Sequence, residues 1–159
     1  MADQPFNIAK GRAIEFYNRV ESNDPTNSAF IVVLLKVAEA DATLIDYDDL
    51  NALLGAAGNT EADFTNYTRK TLTDADLDAF PSPDDTNNRY DIDLPDITYT
   101  SAGGASKNTL VKAILCYDSD TTGGTDANIV PVAHYDFAVT TSGGDITLQW
   151  NASGAYRAS

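Results

Sequence analysis

The sequence is poor in the residues that most often carry out chemistry. Its 159 residues include one cysteine, one histidine and one methionine. A disulfide framework or a cysteine-rich metal site therefore cannot be built within one chain. The single Cys116 lies in the apolar run 110–117, and we expect it to be a small buried core residue and not a nucleophile, because free cysteine is among the most buried residue types.

Basic residues are also scarce. Ten Lys and Arg stand against 24 Asp and Glu, which gives a formal net charge of −14. Such a balance repels phosphate backbones instead of neutralising them. We therefore expect no nucleic-acid partner.

Long hydrophobic runs are missing. The longest apolar run covers residues 29–35, far below the roughly 20 residues that a membrane-spanning helix needs. The first residues lack the basic and apolar regions of a secretory signal. We expect a protein that is made and folded in a cytoplasm and has no membrane partner.

Motifs of common enzyme families are absent too: there is no G-x-x-x-x-G-K-[ST], no G-x-S-x-G and no pair of histidines at metal spacing. A histidine-based triad would have to use His134. Strand alternation places Val132, His134 and Asp136 on one face, and we expect that face to point to solvent. The sequence therefore predicts no catalytic residue, no cofactor and no enzyme.

Acidic loops are the remaining candidates for a metal site, because Ca²⁺ binds carboxylate oxygens. Asp118 and Asp120 begin a segment like a calcium-binding loop, and Asp126 follows. The segment departs from the pattern with Thr122 at the fifth position and Ile129 at the twelfth, where a glutamate belongs. We expect a solvated turn without metal, with Asp118, Asp120 and Asp126 as weak candidates only.

Hydrophobic patterning predicts a mainly β fold. Residues 29–37 are continuously apolar and β-branched, which is typical of a strand buried on both faces. Residues 14–20 alternate and predict a half-buried strand. Further strands are predicted over 64–72, 90–94, 97–100, 110–117, 130–140 and 145–150.

The turn-forming residues between these runs favour an antiparallel β-sandwich or a jelly-roll-like barrel. One short helix is predicted over 47–54, capped by Asp46 and ended by Gly55 or Gly58. We expect a single domain over 1–159 with an N-terminal arm at 1–12 and a surface loop at 73–88. Asp91, Asp93 and Asp96 should form an acidic outer face.

Four segments follow one another in the C-terminal half: YDIDLPDITY at 90–99, AILCYD at 113–118, YDF at 135–137 and TLQWNASG at 147–154. Together they resemble a family of small virion proteins of tailed bacteriophages. The resemblance covers residues 90–159, and the opening NIAKG at 7–11 is similar to such proteins as well. It departs at 41–59, where this chain carries a helical insertion.

The resemblance implies a structural role on the particle. The expected function is a capsid decoration or accessory protein that binds the major capsid protein, forms a homo-oligomer and is located in the virion. The ends of the chain, residues 5–12 and 154–159, are expected to contact neighbouring subunits.

Two alternatives are a neck or tail protein and a carbohydrate-binding module for host attachment. A sugar-binding module would expose Tyr17, Tyr67, Tyr99 and Tyr156 together. Trp150 could stack on a sugar, but a core position is the expected one.

Overall fold

The computed structural model describes residues 3–79, 81–151 and 154–158, which include three α-helices and ten β-strands. The helices are α1 (Ala13–Glu21), α2 (Asp41–Leu44) and α3 (Leu50–Gly55). The strands are β1 (Gln4–Pro5), β2 (Ala29–Val37), β3 (Thr60–Glu61), β4 (Lys70–Leu72), β5 (Tyr90–Ile92), β6 (Ile97–Tyr99), β7 (Thr109–Asp118), β8 (Val130–Thr140), β9 (Ile146–Leu148) and β10 (Tyr156–Ala158). The prediction of a mainly β fold is confirmed. Within the described ranges, no helix is long and apolar enough to cross a membrane.

A central antiparallel sheet organises the fold. Its strand order is β1-β8-β7-β2-β3, and β4 pairs with β2 on the same side as β3. Val33 of β2 lies opposite Ile114 of β7, and Leu115 of β7 lies opposite Ala133 of β8. The strands predicted over 29–37 and 130–140 are confirmed with the same ends.

Both faces of the central sheet are buried. Side chains on one face of β2 pack with α1 in one apolar cluster, and those on its other face pack with α2 and α3 in a second. The first set is Phe30, Val32 and Leu34, and the second is Ile31, Val33 and Leu35. An uninterrupted apolar strand is stable here because neither face meets solvent.

Two short strand pairs complete the β structure. β5 pairs with β10, and β6 pairs with β9, each pair antiparallel. Ile92, Ile97 and Leu148 from these pairs join the apolar cluster that contains α1. The finer prediction of a sandwich or jelly roll is not confirmed, because the helices and two short pairs cover the central sheet.

The strand predicted over 14–20 is wrong, since these residues lie in α1. The buried residues Ala13, Phe16, Tyr17 and Val20 follow the spacing i, i+3, i+4, i+7 of an amphipathic helix. The alternation arose from counting Tyr17 as a polar residue. Its ring is buried, and its hydroxyl donates to the carbonyl of Asp78 at 3.0 Å.

Two other predicted elements have different limits. The helix predicted over 47–54 begins at Leu50, where the Asp49 carboxylate accepts from the Ala52 amide at 2.7 Å. The predicted cap, Asp46, instead accepts from the side-chain amide of Asn7 at 2.6 Å. Only β4 remains of the strand predicted over 64–72, because Asn66 has a φ of 72° and turns the chain.

The predicted arm and loop are both in contact with the rest of the fold. Within residues 1–12, β1 pairs with β8, and Phe6 is fully buried. The loop at 73–88 contains a 3-10 turn at Asp74–Asp76 and a bridge between Asp84 and Arg89. Residues 1 and 2 of the arm, residue 80 of the loop and residue 159 lie outside the described residues.

Candidate functional site

The candidate site among the described residues is a buried lysine that lies between two carboxylates. Lys112 of β7 is 3% exposed, and its Nζ lies 2.5 Å from Oδ1 of Asp136 and 2.7 Å from Oδ1 of Asp41. Asp136 stands directly opposite Lys112 on β8, and Asp41 is the first residue of α2. The cluster therefore connects α2 to the two longest strands of the sheet.

His134 is part of this cluster, which corrects the prediction that it points to solvent. Its side chain is fully buried, its Nδ1 lies 3.5 Å from Nζ of Lys112, and its ring meets the Phe6 ring edge-on at 5.9 Å. His134 and Asp136 share a face, as predicted, but a β-bulge shifts the register near Val132 and places that residue in the apolar cluster that contains α1. The prediction that the face of His134 is exposed is wrong, because Phe6 and α2 cover it.

The charges in the cluster follow from burial and hydrogen bonding. Burial opposes the charged form of Lys112, but the hydrogen bonds that Lys112 donates to Asp136 and Asp41 outweigh it and raise the pKa of the lysine. Burial, followed by the charge of Lys112, lowers the pKa of His134. The hydrogen bond from Lys112 lowers the pKa of Asp136. At neutral pH the cluster holds a charged lysine, a neutral histidine and an ionised Asp136.

A lysine within an apolar strand was the signal that could have revealed this cluster. Lys112 interrupts an otherwise apolar stretch of β7, and a buried charge needs a charged or hydrogen-bonding partner. Sequence alone does not say which of the many carboxylates provides it. Asp136 and especially Asp41, 71 residues before Lys112, could not have been selected by spacing.

The structure does not bring the predicted metal candidates together around one point. The carboxylate of Asp118 accepts from the Asp120 amide at 3.0 Å, and that of Asp120 accepts from the Thr122 amide at 3.0 Å. Asp126 instead binds Arg69 through both of its oxygens. No group of three or more His, Cys, Asp or Glu in the described ranges is placed to hold a metal.

A second ionic cluster is centred on Arg69. Its guanidinium binds Glu61 of β3 and Asp126, and hydrogen bonds to these two carboxylates raise its pKa. Glu61 also accepts from the Tyr67 hydroxyl at 2.9 Å. Every donor of this cluster has a carboxylate partner, so we interpret it as a structural link between β3 and the turn at Asp126–Asn128.

The buried Cys116 has the environment that was predicted. It is fully buried in the cluster of apolar side chains under α2 and α3. Burial raises the pKa of its thiol. A thiol held in its neutral form is a poor nucleophile.

The tyrosines that would have formed a sugar-binding platform do not lie exposed together. Tyr17 and Tyr99 are buried, and Tyr67 is half-buried and stacks on Tyr99 at 6.1 Å. Tyr156 lies elsewhere, on β10. This arrangement counts against the carbohydrate-binding alternative.

Trp150 and the acidic outer face were also predicted from the sequence. Trp150 is half-buried, meets the Tyr135 ring edge-on at 5.0 Å and donates from Nε1 to the carbonyl of Pro95 at 2.9 Å. Asp93 and Asp96 are exposed, whereas Asp91 pairs with Arg157 and Arg89.

A cavity lies where the two ends of the described chain meet. It has a volume of about 320 Å³ and is lined by residues 3–5, by Ala133 and Tyr135 of β8, by Asn151 and by residues 154–157. The Tyr135 hydroxyl donates to the carbonyl of Ala155 at 2.5 Å and ties the C-terminal segment to the sheet. Pro5 of the first predicted contact segment and residues 154–157 of the second therefore line the same cavity.

No protein-family model, curated protein or solved structure matches this chain. The resemblance to virion proteins of tailed phages therefore depends on the four short segments and on residues 7–11.

Proposed function

We propose that this chain is a structural component of a tailed-phage virion, a decoration or accessory protein that binds the major capsid protein, and that it is not an enzyme. Its place is the virion, and it assembles as a homo-oligomer. The four phage-like segments support the virion assignment. The arrangement of the chain ends supports a role in assembly.

The observation that carries this proposal is the meeting of both chain ends at an open edge of the central sheet. β1 is two residues long and pairs with β8 only at His134 and Ala133. Beyond that point, the Asp136 amide donates to the carboxylate of Asp3 at 3.0 Å, and no strand within the described ranges pairs with the outer edge of residues 137–140 of β8. An open strand edge is a natural place for contact with another chain.

Charge distribution adds a second argument. Six of the basic residues are engaged in ion pairs with carboxylates: Arg19, Lys36, Arg69, Arg89, Lys112 and Arg157. Lys10 and Arg12 are exposed and form no ion pair within the described part of the chain. On a surface with net charge −14, these two cations are suited to a carboxylate-bearing neighbour, such as a second copy of the chain.

Electron cryo-microscopy of the particle that contains this chain tests the proposal. We expect density of this size at regular positions on the capsid lattice. Density only at the neck or tail would transfer the assignment to a neck or tail protein. Absence of the chain from any particle would refute the virion role.

The contact made by the N-terminal segment is best tested with charge-reversing substitutions. Deleting residues 1–10 would remove Phe6 and Ala9, both fully buried, so loss of binding could simply reflect unfolding. The double variant Lys10→Glu, Arg12→Glu replaces two exposed side chains, of which Arg12 contacts the core by lying over the Phe16 ring at 4.7 Å. We expect it to lose particle binding while its melting temperature stays close to that of the wild type.

Lys107→Glu is the matched control for this test. Lys107 is also exposed and forms no ion pair within the described ranges, but it lies in the loop before β7. We expect this variant to bind particles normally. Normal binding by the double variant would remove the N-terminal segment from the contact surface.

A further inference from the structure

Lys112 and Asp136 are held in contact by the backbone of the sheet. They are opposite residues on neighbouring antiparallel strands, and their Nζ and Oδ1 atoms are 2.5 Å apart. The carboxyl carbon of Asp136, Cγ, lies one bond beyond that oxygen. Well-oriented groups within one molecule can reach effective concentrations of about 10⁵–10⁸ M.

A second carboxylate completes the arrangement. Asp41 contacts the same Nζ at 2.7 Å and is 14% exposed. Nδ1 of His134 lies 3.5 Å from the same Nζ, and the Phe6 ring meets the His134 ring edge-on; both rings are fully buried. The lysine therefore meets one carboxylate on its own sheet, one from α2 and the ring of His134.

From this geometry we infer that Lys112 and Asp136 can join in an intramolecular amide bond between Nζ and Cγ. The inference does not depend on the proposed virion role. The bond would covalently fasten β7 to β8 in addition to their backbone hydrogen bonds. Nothing in the sequence patterns discussed above indicates such a modification.

The reaction is a condensation and needs no external reactant. One proton moves from the Lys112 ammonium to the Asp136 carboxylate, and the neutral amine then attacks Cγ. A second proton leaves the nitrogen for Asp41, which delivers it to the departing oxygen. The carbon–oxygen bond breaks and one water molecule is released, so atoms and charge balance.

The ion pair between Lys112 and Asp136 is the starting state of the reaction and limits its rate. Hydrogen bonds donated to both carboxylates favour the charged lysine, so the neutral amine is a minor species. Each molecule needs to react only once, and a slow step is therefore sufficient. The amide removes one positive and one negative charge together and leaves the net charge at −14.

Intact-mass spectrometry of the purified full-length chain is the first test. We expect a population whose mass is lower by one water molecule and which grows during incubation at neutral pH. Complete retention of the full mass after prolonged incubation would overturn the inference.

Tryptic peptide mapping assigns the bond. Trypsin cleaves after Lys107, Lys112 and Arg157, and an amide at Lys112 blocks the second of these cuts. We expect a single peptide of residues 108–157 that has lost one water. A normal cut after Lys112 in the lighter species would indicate a cyclised aspartate elsewhere and would refute the amide. A link from Lys112 to a peptide of residues 37–69 would identify Asp41 as the acceptor and overturn the role of Asp136.

Variants separate this site from an ordinary ion pair. Lys112→Met should abolish the loss of mass, and Asp41→Asn should slow it by at least tenfold. Lys36→Met is the control, because Lys36 and Asp63 are equally close at 2.6 Å but the carboxylate side chain is 64% exposed. The lighter species should persist in this control, and its disappearance there would refute the assignment. Should Lys112→Met fail to fold, the peptide map of the wild type decides alone.

Discussion

The central sheet and the two short strand pairs depend on different interactions. β2 buries seven of its nine residues, and β7 buries eight of ten. β5, β9 and β10 have three residues each and bury at most one. Long strands are stabilised by apolar area, whereas the β5–β10 pair depends on a few individual contacts. We expect this pair to open locally while the central sheet stays folded.

The largest expected effect comes from the central sheet. Leu35 of β2 is fully buried, and replacing it with alanine leaves a cavity in addition to the lost burial. We expect Leu35→Ala to reduce the free energy of unfolding by about 2–5 kcal/mol, measured by urea denaturation. Val37→Ala in the same strand is the control, because Val37 is 48% exposed.

Similar losses for Leu35→Ala and Val37→Ala would contradict the assignment of the sheet's buried faces.

The next largest effect is expected at Gly154, a backbone position beside the β5–β10 pair. Gly154 has a φ of +85°, and a Cβ there would fall against the carbonyl oxygen of Ile92. We expect Gly154→Ala to destabilise by about 1–3 kcal/mol. Gly11→Ala is the matched control, because Gly11 has a φ of +78° but nothing within 4 Å of its would-be Cβ. An equal loss of stability in both variants would mean that the positive φ alone causes the destabilisation, and that the contact with β5 does not contribute.

The predictions from sequence were most accurate where hydrophobicity decides the structure without competition. The run at 29–37 became β2 because its residues are apolar on both faces. The run at 130–140 became β8 although His134 and Asp136 interrupt the apolar residues of one face. The helix α1 was missed because Tyr17 can be counted as polar or apolar, and the choice changes the period from two to 3.6 residues. Such a residue cannot be assigned before its neighbours are known.

The candidate site was less predictable than the fold. His134 was placed on the correct face of β8, but the cover over that face comes from Phe6 and α2, which are distant in sequence. Asp41 lay in a segment recognised only as a helical insertion. Contacts between residues this far apart depend on tertiary packing, which local patterns do not contain.

A smaller effect should appear in the pH dependence of stability. The folded protein lowers the pKa of His134 below its ordinary value of 6.5, mainly through burial. The unfolded chain therefore binds this proton more readily, and the free energy of unfolding should fall as pH drops below about 6.5. We expect His134→Phe to flatten this part of the curve, measured by urea denaturation at a series of pH values.

Carboxylates provide the internal control for that experiment. Hydrogen bonds from Arg69 lower the pKa of Asp126 below its ordinary value of 3.8. Its stabilisation is complete above that value and is lost as pH falls through the lower folded pKa. The fall in the free energy of unfolding at low pH that Asp126 causes should therefore remain in His134→Phe. An unchanged slope near pH 6 in the variant would contradict a neutral, buried His134.

The smallest expected effect is the loss of a surface ion pair in the short β5–β10 pair. Arg157 binds Asp91 through two hydrogen bonds of 2.6 and 2.9 Å, but both groups lie at the surface, and Arg89 also neutralises Asp91. Exposed ion pairs contribute little to global stability. We expect Arg157→Ala to change the melting temperature less than Gly154→Ala does, and to accelerate amide hydrogen exchange at residues 90–92 and 156–158. Exchange in β7 should stay as slow as in the wild type. Faster exchange in β7 would contradict this expectation. It would mean that the short pair and the central sheet open together, since the substitution removes a contact that lies within the pair.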